Sequence, residues 1–103
     1  MTDLEIPLRA IPAQSFRIRL NGLYYGMLIY WDTAPEGGFV LDISDGFGNP
    51  LVQGIPLVTG SDLLAQYAYL NFGFKLFIFS AGAPWQPPTQ QNLGVTSHLV
   101  AEW

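Results

Sequence analysis

The 103 residues predict a small, mostly antiparallel all-β domain, a barrel or sandwich of six to seven strands with one short helix. Three observations carry that expectation. Apolar residues recur every second position through most of the chain, the period of a half-buried strand. Turn residues, above all Asn21-Gly22, separate these runs at short intervals. Only one segment, Ser61 to Tyr69, carries the 3.6-residue period of a helix.

Taken in order, Leu4, Ile6 and Leu8 alternate with Glu5, Pro7 and Arg9. Pro7 has no amide to give to a ladder, so this strand belongs at a sheet edge. Phe16, Ile18 and Leu20 alternate with Ser15, Arg17 and Arg19 and run into Asn21-Gly22, where both residues tolerate positive φ. The next strand, Leu23 to Trp31, is apolar on both faces, which implies one face on the core and the other on a neighbour. Asp32 to Gly38 is a loop with Pro35 and a Gly-Gly pair. A strand with Phe39, Leu41 and Ile43 on one face follows, then the turn Asp45–Pro50. Leu51 to Gln53 continues extended to Val58, with Pro56 marking another edge. In the helical segment Ser61 is placed as cap, Asp62 suits the first turn, and Leu63, Leu64, Tyr67 and Leu70 share a face. Phe74, Leu76 and Ile78 resume strand alternation. Ala81 to Gly94 is a long loop, and Val95 to Glu102 closes the domain as a last strand.

A chain of this length makes one domain and buries only about 60–65% of its unfolded surface. Half its residues are apolar and 15% aromatic, while 12% are charged, roughly half the usual share of about 25%. Apolar side chains must therefore remain on the surface of a lone copy, which marks a protein interface. The longest apolar runs, Leu23–Trp31 and Phe72–Phe79, fall short of the ~20 residues of a membrane-spanning helix. The N-terminus carries Asp3 and Glu5 and does not read as a secretory signal, so synthesis in a cytoplasm is expected. Without cysteine there are no disulfides and no thiolate metal sites.

Four basic residues against eight acidic ones give a net charge of −4. Duplex binders gather cations along a face to displace phosphate counterions, and Arg9, Arg17, Arg19 and Lys75 are the whole supply. No direct nucleic-acid binding is expected. In a gel-shift experiment at physiological salt the chain should leave DNA unshifted, and tight, salt-sensitive retention would contradict this.

No catalytic or cofactor constellation assembles. His98, the single histidine, adjoins Ser97 in a strand, where neighbouring side chains point to opposite faces, so they make a poor nucleophile–base pair. Asp42–Asn49 looks superficially like a calcium loop. With Gly46 in the sixth place, Leu41 stands first and Val52 twelfth, so an EF-hand fails and a hairpin turn is the better account. Pro84-Trp85-Gln86-Pro87-Pro88 has a PxxP spacing that suits a proline-stiffened contact loop better than a groove ligand. Within the fourteen-residue loop Ala81–Gly94, longer than most connections, Trp85 offers the kind of side chain that anchors interfaces. Tyr24, Tyr30, Tyr67, Tyr69, Trp85, Pro87, Pro88 and Trp103 are the candidate interface residues. Trp31, Trp85 and Trp103 with the tyrosines also allow a second function class, a free-standing β-domain that binds carbohydrate or protein.

The order of motifs resembles a known family. Ile6-Pro7-Leu8, Pro12-x-Gln14-x-Phe16, Asn21-Gly22 and Trp31-Asp32 form its first half. Leu41-Asp42-Ile43 and the block Pro50-Leu51-Val52-x-Gly54-Ile55-Pro56-Leu57-Val58-Thr59-Gly60-x-Asp62-Leu63-Leu64 are its most specific part. Tyr67-x-Tyr69-Leu70, Leu76-Phe77, Pro88-Thr89 and Asn92-Leu93-Gly94 complete it. From about Leu4 to about Val100 the chain resembles the baseplate plug proteins of contractile-tailed phages and related prophages. The resemblance implies a β-rich virion structural subunit at the centre of the tail baseplate, near the junction of tube, hub and spike. It implies tail proteins as partners, with copies of the chain itself, and no catalytic residues, metal or cofactor.

Overall fold

The computed structural model describes residues 2–32, 38–59, 62–80, 88–89 and 93–103. Among these residues seven strands form two antiparallel sheets. In the larger, β2 (Ala13–Leu20), β3 (Leu23–Trp31), β4 (Phe39–Asp45) and β5 (Pro50–Pro56) lie in sequence order. In the smaller, β7 (Ser97–Glu102) is flanked by β1 (Asp3–Ile6) and β6 (Lys75–Ser80). The sheets do not close into a barrel, so of the two expected forms the sandwich is the one realised.

Period-2 patterning sets the inner faces. Tyr25, Met27 and Ile29 of β3 meet Phe39, Leu41 and Ile43 of β4, with Val52 and Ile55 of β5. From the smaller sheet come Ile6, Leu76, Ile78, Leu99 and Ala101, all buried. The buried hydroxyl of Ser97 lies 2.8 Å from that of Ser80, which satisfies the polar atom inside the core.

Asn21 and Gly22 have φ of 49° and 87°, as their hairpin requires, and pair Leu20 with Leu23. β1 stops at Ile6, one residue before Pro7, and occupies a sheet edge as that proline demands. Between β4 and β5 the Asp45 carboxylate accepts the amides of Phe47 (2.8 Å) and Asn49 (3.0 Å) and the Asn49 side chain (3.1 Å). The acid of the suspected calcium loop is thus engaged in a turn. Chiefly the Asn49 amide and side chain, helped by Phe47 and Gly48, hold the Asp45 pKa below its ordinary 3.8 despite desolvation. A depressed folded-state pKa contributes stability that is present above the ordinary value and is lost as pH falls through the lower folded one. We expect an NMR titration to show the Asp45 carboxyl and the Phe47 and Asn49 amides moving together, with a midpoint below 3.8. A midpoint at or above that value would contradict the bonding.

The helical segment differs from its sequence expectation. A 3-10 helix, Ala65–Leu70, stands where an α-helix from Ser61 was expected, and Ser61 lies outside the described residues. Tyr67 departs from helical angles and Asn71 ends the turn in the left-handed region. Tertiary bonds explain the difference. Asp62 Oδ1 accepts the amides of Leu64 (3.0 Å) and Leu76 (3.1 Å), and the Leu63 amide donates to the Leu76 carbonyl (2.8 Å). The first turn of the would-be helix is tied to β6, with Leu63 and Leu64 buried. A short helix cannot offset the cost of nucleation against such competition.

Candidate protein interface

The two outer faces of the sandwich each hold exposed aromatic or apolar side chains. On the larger sheet, the hairpin register places Arg19 opposite Tyr24, Arg17 opposite Gly26 and Ser15 opposite Leu28. Across β3 and β4, Leu28 faces Asp42 and Tyr30 faces Val40. Tyr24 is more than half exposed there, and Leu28 is partly so. This is the second apolar face that β3 was expected to turn to a neighbour.

Tyr24 carries two cations. The Arg17 and Arg19 guanidinium carbons lie 5.5 and 6.0 Å from its ring centroid, within cation–π range. Tyr30 is half-buried on the same face. Desolvation, then the Asp42 and Asp32 carboxylates, raise its phenol above the ordinary 10.0, so it remains a neutral donor at physiological pH.

On the smaller sheet Phe79 is 57% exposed, with its ring centroid 6.4 Å from that of Phe77. Across β7 from them, β1 bears Asp3 and Glu5, and His98 Nδ1 on β7 lies 3.2 Å from Glu5 Oε1. Ser97 points into the core while His98 points out, so the two side chains do not meet as nucleophile and base. Among the described residues no group of three or more His, Asp or Glu side chains could hold a metal ion, and no helix is long and apolar enough to cross a membrane.

A third surface is an open cleft of about 440 Å³ between the 3-10 helix and the ends of β6 and β7. Tyr67 and Trp103 both line it and pack against the core, and Tyr69, on the same helix, is 74% exposed. The interface candidates are thus divided. Tyr24 and Tyr30 share the outer face of the larger sheet, whereas Tyr67 and Trp103 share the cleft. Pro88 is buried, and Trp85 and Pro87 lie outside the described residues. Trp31 stands edge-on to Phe39 with centroids 5.1 Å apart, a packing role that leaves little of it for a sugar-stacking platform.

Sequence reasoning had not singled out Phe77, Phe79, Leu28 or the Arg–Tyr–Arg cluster. The signal for the cluster was present. A two-residue Asn-Gly turn fixes the register, and Arg19 then falls opposite Tyr24.

Exposed aromatic sheet faces on a small β-sandwich suit a subunit covered by neighbours, and comparison with known families agrees. No curated protein matches the chain at a significant level. A family model described as "Cyanophage baseplate Pam3 plug gp18" matches residues 4–102, almost the entire sequence. The chain belongs to this phage baseplate plug family.

Proposed function

We propose that the chain is a non-catalytic structural subunit at the centre of a contractile phage tail baseplate, where it plugs or connects the tube, hub and spike region. Its place is the virion, after synthesis in the host cytoplasm. Family membership supplies the baseplate. The observation that carries the structural role is the outer face of the larger sheet. Tyr24 and Leu28 stand exposed there beside Arg17 and Arg19, a large aromatic and apolar surface of the kind a neighbour covers. Aromatic residues presented on a rigid sheet are typical interface anchors. Trp85, in the proline-stiffened loop, is proposed as a further anchor on its sequence context.

Complementation of a phage that lacks the gene tests this reading. The intact chain should restore particles with complete baseplates. Tyr24→Ser and Trp85→Ala should each fail to incorporate, while the purified variants keep the melting temperature of the intact protein. Complete, infectious particles formed without the chain would contradict a structural role. A large loss of melting temperature in Trp85→Ala would return that side chain to the domain's own core.

A further inference from the structure

A two-sheet sandwich has four edge strands, and here β5 is closed off and β6 is engaged on its outer side at Leu76. β5 has prolines at both ends, and two extra residues break its register against β4, at Leu51 and at Gln53-Gly54. The Asp42 carboxylate takes the Gly54 amide at 2.8 Å. Prolines and bulges are standard means of ending strand addition. On β6, Asp62 and Leu63 occupy the amide and carbonyl of Leu76.

The other two edges, β2 and β1, pair with no strand on their outer sides among the described residues. β2 is eight residues long with neither bulge nor internal proline. The Trp31 amide donates to the Pro12 carbonyl. In an antiparallel ladder hydrogen-bonded pairs alternate, so even-numbered residues of β2 bond to β3. Ser15, Arg17 and Arg19 turn their amides and carbonyls outward. Similarly, Thr2 and Trp103 exchange both backbone bonds. Leu4 and Ile6 then bond to β7, and Asp3 and Glu5 turn theirs outward.

We propose that β1 of one copy adds antiparallel to β2 of a second copy, with Asp3 opposite Arg19, Leu4 opposite Ile18, Glu5 opposite Arg17 and Ile6 opposite Phe16. In this register every outward amide and carbonyl from Asp3 to Glu5 meets one from Arg17 to Arg19. With the two cores on the same side of the joined sheet, both carboxylates share a face with both guanidiniums. Opposite charges in directly facing positions stabilise a strand pair and like charges destabilise it. A one-residue slip breaks the hydrogen-bond phase and turns the acids onto the apolar side. A two-residue slip forfeits at least one charge pair.

The surroundings fit this occupant. Leu4 is 37% exposed on β1, and Phe16 and Ile18 are half-buried on β2. An open groove of about 890 Å³ runs beside β2, lined by Leu8, Ile11, Phe16 and Ile18 among others. Among the described residues neither Arg17 nor Arg19 has a carboxylate within ion-pair distance, and both rest on Tyr24. Glu5 keeps capacity for a second donor beside His98. Two-fold pairing of β2 with β2, or of β1 with β1, would instead set like charges face to face. The contact is therefore heterologous, and each copy retains one free β1 and one free β2, so it propagates head to tail into a ring if the rotation closes. The pairing does not depend on which baseplate proteins cover the outer faces.

Sedimentation of the purified full chain tests it. The intact protein should associate with rising concentration. R17E/R19E and D3R/E5R should each weaken association by at least about tenfold. An equimolar mixture of the two, or one chain carrying all four changes, should associate again. Circular dichroism checks that each variant is folded. A second measurement needs no charge change. Because the chain has no cysteine, Leu4→Cys mixed with Ile18→Cys should give a disulfide-linked heterodimer on oxidation, at a non-hydrogen-bonded position where facing residues lie closest. A monomer at all concentrations, association indifferent to charge reversal, or no heterodimer would overturn the pairing.

Discussion

Leu99→Ala is expected to lower the melting temperature of the isolated chain by about 15 °C. Leu99 lies on β7, the central strand of the smaller sheet, opposite Ile6 on one side and Ile78 on the other. It is 0% exposed, and its two partners are buried as well. Truncating a buried leucine forfeits its transfer free energy and leaves a cavity, together about 2–5 kcal/mol. In a domain of this size each kcal/mol corresponds to roughly 4–8 °C. β7 is also the strand that joins β1 and β6, so the cavity would loosen the whole smaller sheet. Val100, the next residue, points outward and is half-buried, and Val100→Ala should cost much less. Thermal unfolding followed by circular dichroism compares the two. Similar small shifts for both would mean that the sheets do not enclose Leu99.

Gly94→Ala should cost about 3 kcal/mol, although it adds a single methyl group. Two effects coincide at Gly94. Its φ is +78°, a conformation that costs a non-glycine residue about 1–3 kcal/mol. A Cβ there would also run into the backbone carbonyl of Leu8, which cannot rotate away as a side chain could. Overpacking of that kind costs about 1–3 kcal/mol more. Gly94 is further pinned by its amide, which donates to the Ser97 carbonyl at 2.7 Å. Gly22 separates the two effects, since its φ is +87° but an added Cβ would meet nothing. Gly22→Ala should show the conformational cost alone. Denaturant unfolding of both variants measures the difference, and equal losses would show that the Leu8 contact carries none of it.

Local signals made much of the fold legible. Asn21-Gly22 fixed a hairpin and its register, the apolar run of β3 and the alternation of β4 gave their extents, and Pro7 and Pro56 marked edges. The helical period over Ser61 to Tyr69 located the short helix but neither its start nor its 3-10 form, because the first residues are held by Asp62 and β6, fourteen residues along the chain. No local propensity reports such a bond. The bulge at Gln53-Gly54 was signalled, since an isolated glycine within a strand commonly marks one, and Gly54 has a φ of +79°. For the candidate interface, β3 announced itself as apolar on both faces, and Tyr24 stands exposed there. Phe77 and Phe79 escaped notice because their outward placement depends on which face of β6 meets the core. The complementarity of β1 and β2 emerged only once strand order had shown both to be edges.

A cryo-electron microscopy map of the assembled tail tests the central claim most directly. The account predicts density for this β-sandwich on the tail axis, between the tube and the hub or spike, with the outer face bearing Tyr24 and Leu28 covered by a neighbouring subunit. A mature particle that lacks the chain, or that carries it at the baseplate periphery with this face open to solvent, would contradict the account.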